Sequence, residues 1–421
     1  MERFNTHTLS NGLRIIHMPS PTNVAYCGIA IDAGTRDERD CEHGAAHFCE
    51  HMIFKGTHKR KAWHILNRME LVGGDLNAYT NKEETVVYSA FMKGDFSRAV
   101  ELIADIVFNS TFPQHEMDKE AEVVVDEIKS YLDSPAELIY DEFEHMIFSG
   151  HSLGHDILGT PETVRSFKTA DLQGFTSRLY VPSNMIFFVF GKIPFSHVVR
   201  TVEKYCSGIV PSVPVYLDTD TRGDVFHGNK WRMPLKPYTA EHRTELRGTH
   251  QAHVMIGSRA YPSDDKRRIA LYFLNNIIAG PGMNSLLNVS LREHNGLVYT
   301  VESSLTNYTD TGTFAIYFGC DADDIGRCMK LVRKELDRLT DAPLSESRFK
   351  AAMKQIKGQI GVACDNFENY ALDMAKCFLH YNRFEGIEDT ISHLDQLTPE
   401  KVYDVAREIL AEENLSVLIY K

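Results

Sequence analysis

The sequence lacks the patterns that mark membrane-spanning, exported and disulfide-stabilised proteins. No stretch approaches the roughly 18 apolar residues of a membrane-spanning helix, and the N-terminal stretch lacks the basic-then-apolar pattern of a signal peptide. The eight cysteines are scattered without a C-x-x-C pair, so neither a disulfide framework nor a thiolate zinc ribbon is indicated. These absences favour a reducing compartment. We therefore expect a cytoplasmic protein, while noting that a secreted chain without its leader would look the same.

Positive charge is also scarce. Lysine and arginine number 45 against 58 aspartates and glutamates, which gives a formal net charge of −13. Such a surface repels nucleic acid and anionic membranes, so we expect neither as a partner, and it favours basic substrates. A chain of 421 residues with 43% hydrophobic residues is long enough for two or more domains with large cores.

The apolar pattern predicts two halves with one order of elements. In the first half, strands are predicted at 13–20, 23–34, 73–92 (a strand pair) and 179–191, and helices at 44–54, 94–109 and 115–132. In the second half, strands are predicted at 251–261 and 311–321, and helices at 268–280, 323–339 and 345–360. The predicted fold class is α+β, with two similar α/β sandwich halves, each a mixed or antiparallel sheet flanked by helices. The predicted domains are 1–210 and 239–421, with a proline-punctuated linker at 211–238.

Internal duplication explains this repeated order. A shift of 225 residues places Tyr272–Asn276 opposite His47–His51, and a shift of 230 places Lys350 and Lys357 opposite Glu120 and Glu127. The apolar scaffold matches, but every candidate metal-binding side chain is absent from the second copy. We therefore expect one chemical half and one degenerate half; a generic likeness between α/β segments is the alternative.

The stretch His47–His51, "HFCEH", predicts a metal site. Residues four apart share a helix face, so both imidazoles can reach one ion, with Glu50 between them. Cys49 lies about 200° around the helix from His47 and faces away, so it is not a ligand. Taken alone, the pair is equally compatible with two core or surface histidines.

A third ligand is expected from an acid on another element, because zinc in hydrolases usually has three protein ligands and a water. The helix predicted at 115–132 carries Glu120 and Glu127, seven residues apart and hence on one face. Geometry alone does not choose between them. The glutamate within the motif, this acidic helix and the loss of both from the second copy favour a metal site over structural histidines.

These motifs resemble those of the insulinase–pitrilysin peptidases, the inverzincins. "HFCEHMIFKGT" is similar to their inverted zinc motif HxxEH, "EAEVVVDEI" to their distal glutamate segment, and "LREHNGLVY" to an Arg–Tyr segment of their second half. The resemblance covers essentially the whole chain. The length of the chain is similar to that of one branch of the family, in which each subunit contains two units. This branch includes mitochondrial processing peptidase and its bacterial relatives. Cys49 departs from the apolar residue more common there.

The resemblance implies roles for individual residues. His47, His51 and Glu127 become the ligands of one Zn²⁺ per chain, Glu50 the general base, and Glu120 an acid that supports the ligands. Zinc lowers the pKa of a bound water to about 7, and a nearby carboxylate can take its proton. The implied reaction is peptide hydrolysis without a covalent intermediate.

The resemblance also suggests how a peptide is held. "LNAYTN" is similar to the family strand beside the zinc, so Asn77 and Ala78 are candidate contacts to substrate backbone, although a plain edge strand is the alternative. Phe54 is a candidate for the pocket beside the scissile bond, or a simple core residue. Arg292 and Tyr299 match the family pair that holds substrate and stabilises the oxyanion; without the resemblance, Arg292 would be a solvated surface charge.

A zinc endopeptidase that cuts unfolded peptides in a closed chamber is the function these observations predict. The alternative is a catalytically silent subunit that binds peptides or scaffolds a heterodimer, but such subunits lose part of the zinc motif. The double-length members of the family are single chains of four such units, with the zinc motif in the first unit and the Arg–Tyr pair in the fourth. A chain of two units therefore predicts a homodimer in which each active site is shared between the chains.

Overall fold

The computed structural model describes residues 4–212 and 233–421, so most of the predicted linker 211–238 lies outside the described residues. The chain forms two compact units, and neither is continuous in sequence. The first unit consists of Met1–Lys129, His155–Pro234 and Asn366–Glu385. The second unit consists of Ser130–Gly154, Leu235–Asp365 and Gly386–Lys421. The domain boundaries 1–210 and 239–421 stay a prediction of the sequence.

The first unit is built on a six-stranded mixed sheet in the order β1-β2-β6-β3-β5-β4. Only β2 and β6 run parallel, and the other neighbours are antiparallel. β4 forms the edge of this sheet and pairs with β5 alone among the described residues. The strands are β1 Asn5–Thr8, β2 Arg14–Pro19, β3 Val24–Ile31, β4 Asp75–Thr80, β5 Thr85–Met92 and β6 Met185–Gly191.

Helices cover both faces of the first sheet. One face carries the larger core, in which α3 packs against β3 and β5, and α1 packs against β4 and α7. The other face is covered by α12, which packs on β3 and β6. The helices of this unit are α1 Ala45–Ile53, α2 Ala62–Glu70, α3 Phe96–Phe108, α4 Gln114–Leu132 (all but its last three residues), α6 Pro161–Ser166, α7 Thr169–Leu179, α8 Phe195–Cys206 and α12 Phe367–Tyr381.

The second unit repeats this plan on a five-stranded sheet in the order β7-β11-β8-β10-β9. β7 and β11 are parallel and the rest are antiparallel. The strands are β7 His242–Glu245, β8 Ala252–Ala260, β9 Val298–Asn307, β10 Gly312–Cys320 and β11 Ser416–Tyr420, and the helices are α5 Pro135–Ile147, α9 Arg268–Ala279, α10 Ile325–Asp341, α11 Glu346–Ala363, α13 Ile387–Asp395 and α14 Pro399–Ile409. A π-helical segment, Asn288–Glu293, precedes β9.

Each unit contains one helix whose sequence lies in the other half of the chain. α5 covers one face of the second sheet, and α12 covers the corresponding face of the first. An arginine, buried Arg14 for α12 and half-buried Arg259 for α5, fixes the C-terminal end of each. The Arg14 guanidinium donates to the carbonyls of Phe378 and Leu379 at 3.1 and 3.0 Å, and Arg259 donates to the Ile147 carbonyl at 3.0 Å. These bonds satisfy carbonyls that a helix end otherwise leaves without partners.

The predicted fold class is confirmed. Both units are mixed sheets flanked by helices, and the shared strand order (β2-β6-β3-β5-β4 and β7-β11-β8-β10-β9) is what an internal duplication predicts. No helix in the described part of the chain combines the length and the apolar character needed to cross a membrane.

Candidate metal centre

Helix α1, which carries the two motif histidines, begins at a tightly built N-terminus. Gly44 adopts a φ of +91°, and a Cβ there would lie 2.9 Å from the Gly159 Cα, so only glycine fits. The buried Glu38 carboxylate accepts hydrogen bonds from the backbone N–H groups of Gly44 (3.0 Å) and Ala46 (2.8 Å). A carboxylate at this end also interacts favourably with the helix dipole. Glu38 thereby fixes where the helix starts, at Ala45, two residues before His47.

The side chains of α1 divide between two environments. Cys49 is fully buried in the hydrophobic core, as expected for a residue facing away from the metal site. His47 is mostly buried, whereas Glu50 and His51 are partly exposed. The rings of His47 and His51 lie edge to face with centroids 4.6 Å apart. The predicted shared face of the two histidines is therefore present.

Glu127 on α4 completes a three-residue cluster. Its Oε2 lies 3.9 Å from His47 Nε2 and 3.6 Å from His51 Nε2. One ligand atom from each of these residues lies within 4.8 Å of the other two, and this is the one such group of metal-ligand side chains in the described residues. The structure thus brings Glu127, rather than Glu120, to the meeting point of the two imidazoles.

Glu120, two turns earlier on α4, orients one of the imidazoles. Its Oε1 lies 3.0 Å from His51 Nδ1, and its Oε2 lies 2.6 Å from the Lys55 ammonium. A carboxylate that accepts from Nδ1 leaves Nε2 free to bind a metal, and such partners raise the basicity of the ligand. Glu120 therefore supports His51 from outside the cluster.

Burial and neighbouring charges shift the pKa values of the three side chains in the cluster. Burial, then the charge of His51, lowers the pKa of His47 to about 4. Burial also acts to lower the pKa of His51, but hydrogen bonds to Glu120 and Glu127 outweigh it and raise this pKa to about 9. The hydrogen bond from His51 lowers the pKa of Glu127. A cation between these groups would replace the proton held by His51.

The residues present fit a zinc ion. Ligand atoms about 2.0–2.2 Å from zinc in a tetrahedral site are about 3.3 Å apart, close to the 3.6 Å between His51 Nε2 and Glu127 Oε2. Two imidazoles and a carboxylate form the donor set of many catalytic zinc sites, which keep a fourth position for water. Only small side-chain movements are needed to close the cluster around an ion.

Glu50 lies between the two histidines in sequence without belonging to the cluster. Burial raises the pKa of Glu50, while the nearby Thr80 side chain, at the end of β4, and the charge of His51 oppose the rise. A half-buried carboxylate next to a metal site, with its pKa moved towards neutrality, is suited to accept a proton.

The candidate peptide-binding residues lie beside α1. β4 packs against α1 and is an edge strand, with Asn77 exposed and Ala78 half-buried. Its free edge offers backbone N–H and C=O groups to an added strand. Phe54 follows α1 directly and packs partly buried against the core. Contact of these three residues with a peptide stays a prediction.

Arg292 and Tyr299 come together within the second unit. Arg292 lies in the π-helical segment, and its guanidinium carbon is 5.7 Å from the centre of the Tyr299 ring. Tyr299 is 82% exposed and lies at a β-bulge, because Val298 pairs with Cys320 and Val301 with Phe318. Bulges re-aim side chains and are common next to active sites. The pair is thus displayed as a polar, solvent-facing group.

The second unit has hydrogen bonds where the first has metal-binding side chains. Asn276 on α9, opposite His51 in the repeat, donates from its amide to Gln359 on α11 at 2.7 Å. Lys357, opposite Glu127, forms an ion pair with Asp395. The predicted degeneration of the second copy is therefore present, with neutral and cationic groups instead of ligands.

Two residues at the site were missed by sequence reasoning. Glu38 has no partner that spacing could reveal, since it accepts from backbone groups of a helix start further along the chain. Lys55 was detectable in principle, because it lies only four residues after His51, just beyond the end of α1. Its contact with Glu120, however, depends on how α1 and α4 pack together.

Two histidines from one helix, a carboxylate from a second helix and a glutamate between the histidines are the donor set and acid typical of metallohydrolases. Comparison with known proteins narrows this class. The family model "Insulinase (Peptidase family M16)" matches residues 14–161, and the model "Peptidase M16 inactive domain" matches residues 166–356. The chain belongs to the insulinase family of peptidases.

Individual relatives agree with this assignment. An uncharacterized zinc protease of Streptomyces coelicolor is 31% identical, over 98% of this chain and 88% of its own. The uncharacterized zinc protease YmxG of Bacillus subtilis is 30% identical, over 98% of this chain and 97% of its own. Among solved structures, a protease from Helicobacter pylori matches with a TM-score of 0.90, at 20% identity and with 99% of both chains covered. This last likeness concerns the fold alone.

Proposed function

We propose that the protein is a zinc-dependent endopeptidase that cleaves unfolded peptides with water as the nucleophile. The observation that carries the proposal is the convergence of His47, His51 and Glu127 next to Glu50. Membership of a family whose similar members are named zinc proteases supports it. One Zn²⁺ per chain is part of the proposal.

The side chains in and around the cluster would have separate roles in the cleavage of a bound peptide. Bound zinc supplies a Lewis acid that lowers the pKa of a coordinated water to about 7. Glu50 takes the proton from the attacking water and delivers it to the leaving amine. Glu120 holds His51 in the orientation that keeps Nε2 on the metal. No side chain of the site needs to form a covalent bond with the substrate.

Peptide binding would use the free edge of β4. An extended peptide added there pairs through its backbone, so affinity depends little on sequence. Asn77 and Ala78 are the proposed contacts, and Phe54 the proposed wall of a side-chain pocket. The net charge of −13 favours basic peptides. A closed chamber around this edge would admit flexible chains and exclude folded domains.

We further propose that the protein works as a homodimer with shared active sites. Arg292 and Tyr299 would bind substrate backbone and the developing oxyanion at the zinc site of the partner chain. Their exposure within the second unit leaves both side chains available for such a contact. A cytoplasmic location also stays a prediction.

The deciding experiment compares the purified chain with its Glu50→Gln variant on a mixture of unstructured peptides, with and without a chelator. We expect the unchanged chain to cleave peptides and to lose this activity on metal removal. Glu50→Gln should keep about one zinc per chain but lose at least 10²–10⁴-fold in rate, since Glu50 is a base rather than a ligand. Loss of zinc in this variant would show that Glu50 has been misassigned.

An Asp118→Asn variant serves as the matched control. Asp118 is an exposed carboxylate on α4 that accepts a hydrogen bond from the half-buried Gln114 and does not belong to the metal cluster, so this variant should keep both zinc and activity. If the unchanged chain binds peptides but cleaves none with zinc loaded, the alternative of a silent binding or scaffold subunit is correct and the peptidase proposal is wrong.

A further inference from the structure

Helix α2 of the first unit is apolar on two opposite sides. Ile65 and Met69 face inward and are fully buried in the core. Trp63, Leu66 and Leu71 point the other way and are 71%, 52% and 77% exposed. A helix with apolar residues all round is normally covered on every side, and a contiguous exposed apolar surface marks an interaction site. We call the surface of Trp63, Leu66 and Leu71 the α2 patch.

The second unit has an open and almost entirely apolar groove along α11, with a volume of about 750 Å³. Its lining includes Pro281 and, on one face of α11, Ala351, Gly358 and Val362. Val362 is 78% exposed. A Cβ at Gly358 would meet nothing within 4 Å, so packing within the chain does not require this glycine, which destabilises a helix interior. A glycine does allow another surface to approach closely. We call this site the α11 groove.

The two surfaces carry exposed charges of opposite sign. Lys354 is the charged residue in the lining of the α11 groove, and Glu70 lies between Leu66 and Leu71 on α2. Both side chains are exposed, and neither forms an ion pair with another described residue. A cation at an apolar groove repels basic peptides and suits an apolar partner that carries an acid. A second copy of the chain supplies that partner, because its α2 patch is apolar and includes a glutamate within it.

We propose that the α2 patch of one chain docks in the α11 groove of a second copy. Trp63 and Leu71 enter the groove, and Glu70 meets Lys354. Large apolar side chains in a groove provide most of the affinity of such interfaces, and charge pairs at the rim set the register. In a two-fold dimer the contact forms twice, because each chain offers both surfaces to the other.

Both surfaces adjoin segments that the proposed function uses. The α2 helix packs against β4, the edge strand proposed to bind peptide, and its last turn leads into that strand. On the other surface, the side-chain amides of Asn284 and Gln355 exchange hydrogen bonds of 2.9 and 3.1 Å. They join α11 to the segment just before the π-helical turn of Arg292. Docking would therefore bring β4 of one chain towards the Arg292 segment of the other.

The test measures the mass of the full chain by sedimentation velocity over a series of concentrations. We expect a closed dimer. Leu71→Asp should raise the dissociation constant of this dimer about 30-fold or more, because it places a charge where an anchor side chain enters the groove. Leu71 is largely exposed, so this variant should keep its far-UV circular dichroism and its zinc content. A chain that stays monomeric, assembles into open-ended polymers, or dimerises as well with Leu71→Asp would overturn the proposal.

Leu246→Asp is the matched control, because Leu246 is 83% exposed in the second unit and does not line the groove. Its dissociation constant should stay within about twofold of the unchanged chain, as for most surface positions outside an interface. A charge swap then tests the pairing itself. Glu70→Lys and Lys354→Glu should each weaken the dimer about fivefold or more, because like charges then meet. The two changes in one chain should restore it, and a double variant as weak as the single ones would contradict the pairing.

The docking names the surfaces of the proposed homodimer, and its importance for cleavage rests on the proposed function. The measured masses do not depend on activity, so the two can fail separately. A chain that dimerises through these surfaces but cleaves no peptide with zinc loaded refutes the peptidase and keeps the interface. A chain that cleaves peptides as a monomer refutes the interface. If that monomer binds an unstructured peptide less tightly with Val362→Asp, the groove holds substrate and the docking is wrong.

Discussion

Substitution of Glu120 by glutamine should weaken zinc binding without removing a ligand. The change keeps size and shape but removes the charge that accepts from His51 at 3.0 Å and faces Lys55 at 2.6 Å. A hydrogen bond to a charged group contributes about 1.5–3 kcal/mol and a neutral one about 0.5–1.5 kcal/mol, so the loss is about 1–1.5 kcal/mol. The Lys55 ammonium, left without its carboxylate, adds repulsion towards a divalent cation. We therefore expect zinc affinity to fall about 10–100-fold, as for other residues that orient metal ligands.

Competition with a chelator of known zinc affinity measures the effect on the purified variants. Glu127→Gln should be far worse, at about 200- to 5,000-fold, because a third of the roughly 10–16 kcal/mol that structural zinc sites supply is about 3–5 kcal/mol. Lys55→Met should act in the opposite direction, strengthening zinc binding by at most about fivefold, as expected for a partly exposed ion pair.

Glu122→Gln is the matched control, because Glu122 lies on the same helix but forms an exposed ion pair with Arg165. Its zinc affinity should stay within about twofold of the unchanged chain, since exposed pairs contribute little. An effect of Glu120→Gln as small as that of this control, or as large as that of Glu127→Gln, would refute the assignment of roles to the two acids.

The other predictions concern substrate size, subunit sharing and pH. Peptides of a few dozen residues should be cut, and rapid cleavage of a folded, disulfide-intact protein would contradict the closed chamber. Mixing Glu50→Gln with an Arg292→Ala/Tyr299→Phe variant should restore activity once subunits exchange; exchange without recovery would rule out a shared site. Buried His380 lies 3.2 Å from Glu84. Burial opposes both charges, but Asp32 and then Glu84 raise the pKa of His380 above 6.5, and Lys376 and then His380 lower that of Glu84 below 4.5. This ion pair stabilises the fold fully between about pH 4.5 and pH 6.5, the ordinary pKa values of the two groups. The stabilisation weakens as the pH rises through the raised pKa of His380, and it is lost as the pH falls through the lowered pKa of Glu84. His380→Gln should therefore lower the denaturation midpoint more at about pH 5.5 than at about pH 9, and a pH-independent difference would contradict this.

The sequence predicted the local elements and the cluster well, for a physical reason. The spacing of apolar residues along the chain indicates which segments are helices and which are strands. Helix geometry then places His47 and His51, four residues apart, on one face. The internal duplication was visible because both copies keep the same apolar scaffold.

What the sequence could not supply depends on packing between distant segments. Spacing left Glu120 and Glu127 as equal candidates, and only the relative position of α1 and α4 places Glu127 at both imidazoles and Glu120 at His51 Nδ1. The exchange of α5 and α12 was not predicted either. Both are ordinary amphipathic helices, and nothing in their own pattern says which sheet they cover.

The exchange of these helices has a consequence for synthesis of the chain on the ribosome. α12, which covers one apolar face of the first sheet, belongs to the segment Asn366–Glu385. The metal-binding unit therefore cannot be completed until nearly all of the 421 residues have been translated. Until then, a face that includes Ile16, Ile186 and Phe188 lacks its cover, and exposed apolar surface of this kind favours aggregation and chaperone binding. Translation arrested just before α12 would yield a chain that contains His47, His51 and Glu127 but no finished unit to hold them together.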